Sequence, residues 1–189
     1  MLEQTTSGKV AIVTGSFSGI GAAIVGELSS RGASTVVSYP FHALKGESDA
    51  LVLSRPSPSI AVRWNMSRFE TPEKLAKAAL AKWNRIDIPV YCVVLAVNKP
   101  LEDQTLEDWD LLLNVNGRVG ESSTLRTSSR GPPQSRTIYA GTKEMVNAFT
   151  KYGCTVNSVS PGLAMTEDFA AAGKQQMKIL QPIIDQTPV

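Results

Sequence analysis

The sequence predicts an α/β fold: a doubly wound parallel sheet of about five strands with helices on both faces. Three observations predict it. Short apolar, β-branched runs alternate with stretches of helical periodicity. A glycine-rich turn joins the first such run to the first helical stretch. No linker or composition shift divides residues 1–189, so the chain reads as a single domain.

Lys9–Thr14 (KVAIVT) is a short apolar run, the mark of a strand buried on both faces. Gly19–Arg31 places Ile20, Ala23, Ile24 and Leu28 on one helical face and stops at Gly32, a glycine C-cap. Ser34–Ser38 is a second strand, and His42–Leu53 a helix weakened by Gly46. Ser59–Trp64 alternates as a third strand. Thr71-Pro72-Glu73 opens a helix that runs to Trp83, with Thr as N-cap, Pro at the first position and an acid in the first turn. Ile88–Val97 is the most apolar run and a fourth strand. Thr105–Val115 starts with a Thr-x-x-Asp capping box and is helical. Residues 117–136 carry only Val119 and Leu125 as large apolar residues and read as a loop. A helix over Ile138–Lys151, a fifth strand over Cys154–Val159 and a helix over Glu167–Leu180 complete the pattern. Strand and helix in this rhythm mean right-handed βαβ units.

Composition excludes several classes. The chain is 42% hydrophobic and 19% charged, enough for a packed core. Lys+Arg 19 against Asp+Glu 17 gives +2 with the charges scattered, so no basic stripe points to nucleic acid. No apolar run approaches a membrane span. The polar N-terminus and two cysteines set in apolar runs, Cys92 and Cys154, point to a reduced, cytoplasmic setting. His42 is the one histidine, which leaves little for a Ser-His-Asp relay or a histidine metal centre; no metal site is expected. His42 itself reads as a surface helix residue. Trp64, Trp83 and Trp109 read as packing anchors, and Glu102, Asp103, Glu107 and Asp108 as capping and solvation at a helix start.

Gly15-Ser16-Phe17-Ser18-Gly19-Ile20-Gly21 comes directly after the first strand. Gly15 permits a sharp turn, Gly19 lets backbone N–H groups approach an oxyanion, and Gly21 lets the helix pack close to the sheet. The helix N-terminus adds partial positive charge, so the turn suits a diphosphate. The plainer alternative is a glycine turn with no ligand; the strand–turn–helix context argues for the site.

The Gly-x-x-x-Gly-x-Gly spacing, with Thr14 before it, resembles the short-chain dehydrogenase/reductase family, a Rossmann-like fold. Asn116, the Tyr139-Ala-Gly-Thr-Lys143 run, and Ser160-Pro161-Gly162 with Thr166 after it extend the resemblance over residues 9–166. Leu101–Asn116 and Gly153–Gly162 look most like fungal members related to 3-oxoacyl-carrier-protein reductases. The resemblance implies a nicotinamide coenzyme held by Gly15, Ser16, Ser18, Gly19, Ile20 and Gly21. It also implies Tyr39 after the second strand, Asn65 with Met66 near the adenine, and Pro161, Gly162 and Thr166 at the nicotinamide. The second strand ends Ser38-Tyr39-Pro40 without the acid that would repel a 2′-phosphate, which favours NADP over NAD. No arginine stands in the glycine turn to bind that phosphate.

Tyr139 and Lys143 are four residues apart, on one face of a predicted helix. By spacing alone they read as a surface pair. A lysine charge at ~4 Å is worth roughly 4 kcal/mol at an effective dielectric of ~20, about three pKa units before solvent screening. That makes a phenol a usable proton donor to a carbonyl oxygen. The resemblance assigns Tyr139 as acid–base and Lys143 to lower its pKa and hold the nicotinamide ribose. Asn116 holds a proton-relay water by resemblance, and is also a fit helix C-cap before Gly117.

The pattern breaks in places. Arg126 stands where the family has its catalytic serine, and Ser123 is the substitute assigned from the nearby serines. Tyr91-Cys92-Val93-Val94 replaces the family's Asn-Asn-Ala-Gly. The interval from Asn116 to Tyr139 is too short and polar for the family's helix and strand, and the last family helix and strand are missing. The fourth strand would then have a bare edge unless Cys154–Val159 moves in beside it. These readings lead to an NAD(P)(H)-dependent oxidoreductase acting on a small ketone or secondary alcohol, with a homo-oligomer in doubt. The alternatives are a pseudoenzyme that only binds nucleotide, and a shortened product without a settled function.

Overall fold

The computed structural model describes residues 5–64, 71–93, 95, 101–118, 157, 159, 166, 181–182 and 185. Among these, four parallel strands form one sheet in the order β3-β2-β1-β4. The chain runs β1 (Val10–Val13), α1 (Gly19–Ser30), β2 (Ser34–Tyr39), α2 (Lys45–Leu53), β3 (Ser59–Arg63), α3 (Thr71–Trp83), β4 (Ile88–Val90) and α4 (Leu106–Leu113). It winds outward from β1 to β3, then crosses back to place β4 on the other side of β1.

Both central strands are buried, and their alternating side chains feed two cores. Val10, Ile12 and Val36 point to one face and pack with Trp64, Leu75, Ala79, Val93 and Val115. Val13 and Val37 point to the other and pack with Val25, flanked by Ile24, Leu28, Leu51 and Val52. Helices therefore cover both faces, as a buried parallel sheet requires.

Helix α1 ends as Gly32 predicts. Gly32 takes φ +93°, its N–H donates to the Ser29 carbonyl, and the Ala33 N–H donates to the Leu28 carbonyl. This closes the orphan carbonyls of the last turn. Its buried face is shifted from the expected one: Ile24 and Leu28 do pack against the core, but Gly21, Val25 and Ser29 are the buried residues, Ala23 is exposed and Ile20 stands 37% exposed. Small side chains carry this face because it lies closest to its neighbours. The Ser29 hydroxyl accepts the Ser57 N–H, and the Ser57 hydroxyl donates to the Ser29 carbonyl.

Several further expectations are corrected. The helix expected over His42–Leu53 is split into a 3-10 turn, His42–Leu44, and α2. The fourth strand is three residues rather than Ile88–Val97. Its ladder pairs Ala11 with Ile88 and Val13 with Val90, and ends because β1 itself turns away at Thr14-Gly15. Among the described residues β4 has one strand partner, β1, and its short length and Pro89 blunt the other edge. Of the expected strand Cys154–Val159, Asn157 and Val159 are described and neither is in a strand. Helical backbone occurs at Gln181, Pro182 and Asp185, past the expected end at Leu180. Trp64 and Trp83 do pack in the core, but Trp109 is 41% exposed on α4. Residues 119–136, the helix over Ile138–Lys151 and the stretch Glu167–Leu180 lie outside the described residues.

Asp87 ties the lower ends of β1 and β4 together. Its carboxylate accepts the Val10 N–H at 2.8 Å and two Arg85 guanidinium N–H bonds at 2.8 and 2.6 Å, with Lys9 3.8 Å away. The Arg85 hydrogen bonds, then the Val10 N–H and the nearby cations, hold its carboxyl below the usual range.

Candidate functional site

The strand order reverses between β1 and β4, and in an open α/β sheet ligands bind at the carboxyl ends of strands beside such a switch. Thr14 stitches the two strands past their last pair. Its N–H donates to the Val90 carbonyl at 3.0 Å, and its hydroxyl accepts the Cys92 N–H at 3.0 Å. Gly15 then turns with φ +65°. A Cβ there would lie 3.0 Å from the Cys92 carbonyl oxygen, so the turn rests directly on the chain leaving β4. The Gly15 N–H donates to the Ser38 hydroxyl at 2.8 Å.

Ser16 is fully buried, and its hydroxyl is used inside the protein. It donates to the Val13 carbonyl at 2.6 Å and accepts the Ser38 N–H at 2.9 Å. Ser38 at the upper end of β2 therefore clamps the glycine turn twice. Sequence reasoning misses this role for both Thr14 and Ser38. Each is a small hydroxyl residue at a strand end, a signal too common to stand out.

Gly21 meets its close neighbour in the turn rather than the sheet. A Cβ at Gly21 would sit 2.3 Å from the Gly15 carbonyl oxygen and 2.9 Å from the Ser16 Cα. Gly19 takes φ +54°, and Thr166 packs against it, 3.5 Å from where its Cβ would be. Ser18 is the N-cap of α1 in extended conformation, and its side chain makes no capping bond. No acidic residue occupies the first turn. The helix thus brings its positive dipole end to the crevice with no acid in its first turn.

Tyr39 at the end of β2 is buried, and its carbonyl accepts the Trp64 N–H at 2.7 Å, which holds the ends of β2 and β3 together. Beyond it lie exposed Phe41 and His42, then Lys45, whose ammonium pairs with Asp49 one turn on. That hydrogen bond, then the charge of Asp49, raises the Lys45 pKa. Cys92 is half-buried, and burial pushes its thiol up.

The last part of the site is the end of α4. The helix starts with the expected capping box: the Thr105 hydroxyl accepts the Asp108 N–H and the Asp108 carboxylate accepts the Thr105 N–H. It ends in a widened π turn, Asn114–Arg118. Asn116 is therefore inside a helical turn and not a left-handed C-cap; among the described non-glycine residues only Asn84 has positive φ. The Asn116 side chain accepts the Leu95 N–H and donates to the Leu95 carbonyl, both at 2.8 Å. One residue earlier, the Val115 carbonyl accepts the Tyr91 hydroxyl at 2.8 Å. Burial pushes the Tyr91 phenol up to about 12.

The structure thus gathers Gly15, Ser16, Ser18, Gly19, Ile20 and Gly21 in one turn and sets Thr166 against it. Asn116 is tied to the chain leaving β4. Tyr139, Lys143, Ser123, Asn65, Met66, Pro161 and Gly162 lie outside the described residues. No group of three or more potential metal ligands occurs among the described residues. No described helix is long and apolar enough to cross a membrane.

Residues 9–119 match the sequence profile of the short chain dehydrogenases. The chain belongs to that family. A hydroxynaphthalene reductase of Aspergillus fumigatus is 31% identical over 183 residues, covering 82% of this chain and 66% of its own length. Elsinochrome reductase 1 of Elsinoe fawcettii is 32% identical over 196 residues, covering 89% of this chain and 73% of its own. The chain thus spans about two thirds to three quarters of these fungal relatives. A solved short chain dehydrogenase from Burkholderia cenocepacia, in complex with NADP, superposes with a TM-score of 0.76 at 25% identity, over 89% of this chain and 79% of that one. Relatives named as reductases give no support to the alternative of a nucleotide binder without turnover.

Proposed function

We propose that this short chain dehydrogenase is an NADP-dependent reductase of a small-molecule ketone, or oxidises the matching secondary alcohol. The glycine turn carries the reading. It sits at the reversal of strand order, it needs a left-handed backbone at Gly15 and admits no side chain at Gly21, and it leads into a helix N-terminus whose first turn holds no acid. These features fit a diphosphate.

The nicotinamide, when bound, supplies or takes the hydride. The chain's residues do the rest. The end of β2, Ser38-Tyr39-Pro40, carries no acid to repel a 2′-phosphate, which favours NADP, and the NADP-bound relative is consistent with that choice. Thr166 packs against Gly19, and the family resemblance gives it the nicotinamide carboxamide. Tyr139 donates the proton to the carbonyl oxygen, and Lys143 lowers its pKa and holds the ribose. Ser123 orients the substrate carbonyl, and Asn116 anchors the water that returns the proton. The names of the relatives make a bicyclic aromatic ketone the first substrate to try.

Calorimetric titration with NADPH and NADH, and then NADPH consumption in the presence of a tetralone, tests the reading. NADPH binding and ketone-dependent consumption are expected. Tyr139→Phe should lower kcat by about 10²-fold or more while NADPH still binds. No heat with either coenzyme, or unchanged turnover in Tyr139→Phe, overturns it.

A further inference from the structure

We propose that Tyr91 is a positioning residue for Asn116: its hydroxyl holds the widened turn that carries Asn116 in the register the site needs. This rests on the role given to Asn116 under the proposed function.

A π turn inserts an extra residue into the helical ladder, and side-chain contacts to its backbone help decide whether it stays widened. At Val115, inside the turn Asn114–Arg118, the Tyr91 hydroxyl donates to the carbonyl at 2.8 Å. The next residue, Asn116, makes two bonds to the Leu95 backbone, also at 2.8 Å. Two consecutive residues of the turn are thus clamped to positions 91 and 95 of the same segment. That segment is itself held to the glycine turn through the Cys92 N–H and the Thr14 hydroxyl. The clamps fix where the end of α4 stands relative to the crevice.

Loss of the Tyr91 bond removes one of the contacts that hold the widened turn and so favours ordinary α spacing. Closing a π turn to α spacing removes one residue from the turn and rotates the residues within and beyond it by up to about 100°. Asn116 would then leave Leu95, and any water it anchors would move with it. The Tyr91 phenol stays protonated well above neutral pH, so the donor is present under all working conditions. Tyr91 stands among residues that the sequence offered no polar role, and no sequence spacing links positions 91 and 115.

The test is Tyr91→Phe, which keeps the ring and removes the hydroxyl. Three readouts are taken on the full chain: NADPH affinity by calorimetry, kcat and KM for a tetralone, and hydrogen exchange of the Leu95 amide. NADPH affinity should be unchanged, kcat should fall about tenfold, and the Leu95 amide should exchange faster. Adding Tyr91→Phe to Asn116→Ala should cost no further kcat, because the first acts only through the second. Unchanged Leu95 exchange, or a full additional loss in the double variant, overturns the proposal. If the wild type binds no coenzyme, the proposed function fails, while Leu95 exchange still decides whether Tyr91 governs Asn116.

Discussion

Replacing Gly21 by alanine would put a methyl group 2.3 Å from the Gly15 carbonyl oxygen and 2.9 Å from the Gly15 carbonyl carbon and the Ser16 Cα. Ordinary contact begins near 3.4 Å, so the turn must move by about 1 Å from the helix. All three neighbours are backbone, and no side chain can swing aside. The turn is also tied at Gly15 and Ser16 to Ser38, so the displacement strains the end of β2. Overpacking of this kind costs about 1–3 kcal/mol, and the upper end applies where backbone must shift. Alanine returns up to ~1 kcal/mol of helix propensity, less in a first turn. A net loss of about 2 kcal/mol lowers Tm by about 4–8 °C in a chain of this size. NADPH affinity should fall about tenfold or more, because the turn leaves its position over the helix N-terminus. Gly46→Ala is the control. Gly46 lies in the first turn of α2 with nothing within 4 Å of its would-be Cβ, so a first-turn share of propensity alone acts and Tm should rise by about 1–2 °C. Thermal melts and NADPH titrations of both variants decide the matter. A Gly21→Ala protein that melts and binds like the wild type refutes the steric reasoning.

The same geometry yields other expected outcomes. Asp87→Asn should cost about 1 kcal/mol at neutral pH, the worth of its charged hydrogen bonds less screening. The Asp87 carboxyl is held below its unfolded value, so its contribution is present above the ordinary carboxylate range and lost as pH falls through the folded pKa. Urea midpoints of wild type and Asp87→Asn should therefore differ at pH ~7 and converge at strongly acid pH; a constant gap would contradict the assignment. Thr105→Ala removes the side-chain half of the α4 capping box and should cost about 1 kcal/mol, a Tm drop of about 2–4 °C, with NADPH affinity unchanged. A drop in NADPH affinity would mean that the start of α4 matters to the crevice.

Much of the fold is local and so is legible in local signals. Thr105 and Asp108 are three residues apart and cap as their spacing demands. Gly32 stops α1 because that turn needs its left-handed backbone conformation. The runs around Val10–Val13 and Ser34–Tyr39 are apolar on both faces because both faces are covered. The Ile88–Val97 run misleads for the opposite reason. Its hydrophobicity is real, but strand length depends on the partner, and β1 turns away after Val13. The inward face of α1 escapes a periodicity argument because Gly21 and Ser29 carry little hydrophobic signal, yet sit where approach is closest.

The sequence by itself determined the βα rhythm, the glycine turn and the family, since these lie in short stretches whose chemistry is self-contained. The tertiary structure alone decided that Ser38 clamps the glycine turn, that Gly21 yields to Gly15 rather than to the sheet, and that Tyr91 and Asn116 share one turn with the chain leaving β4. Those partners stand about twenty residues apart, except for Gly15 and Gly21. Hydrogen bonds and close approaches between elements depend on where strands end and helices widen, which no local pattern of side chains records.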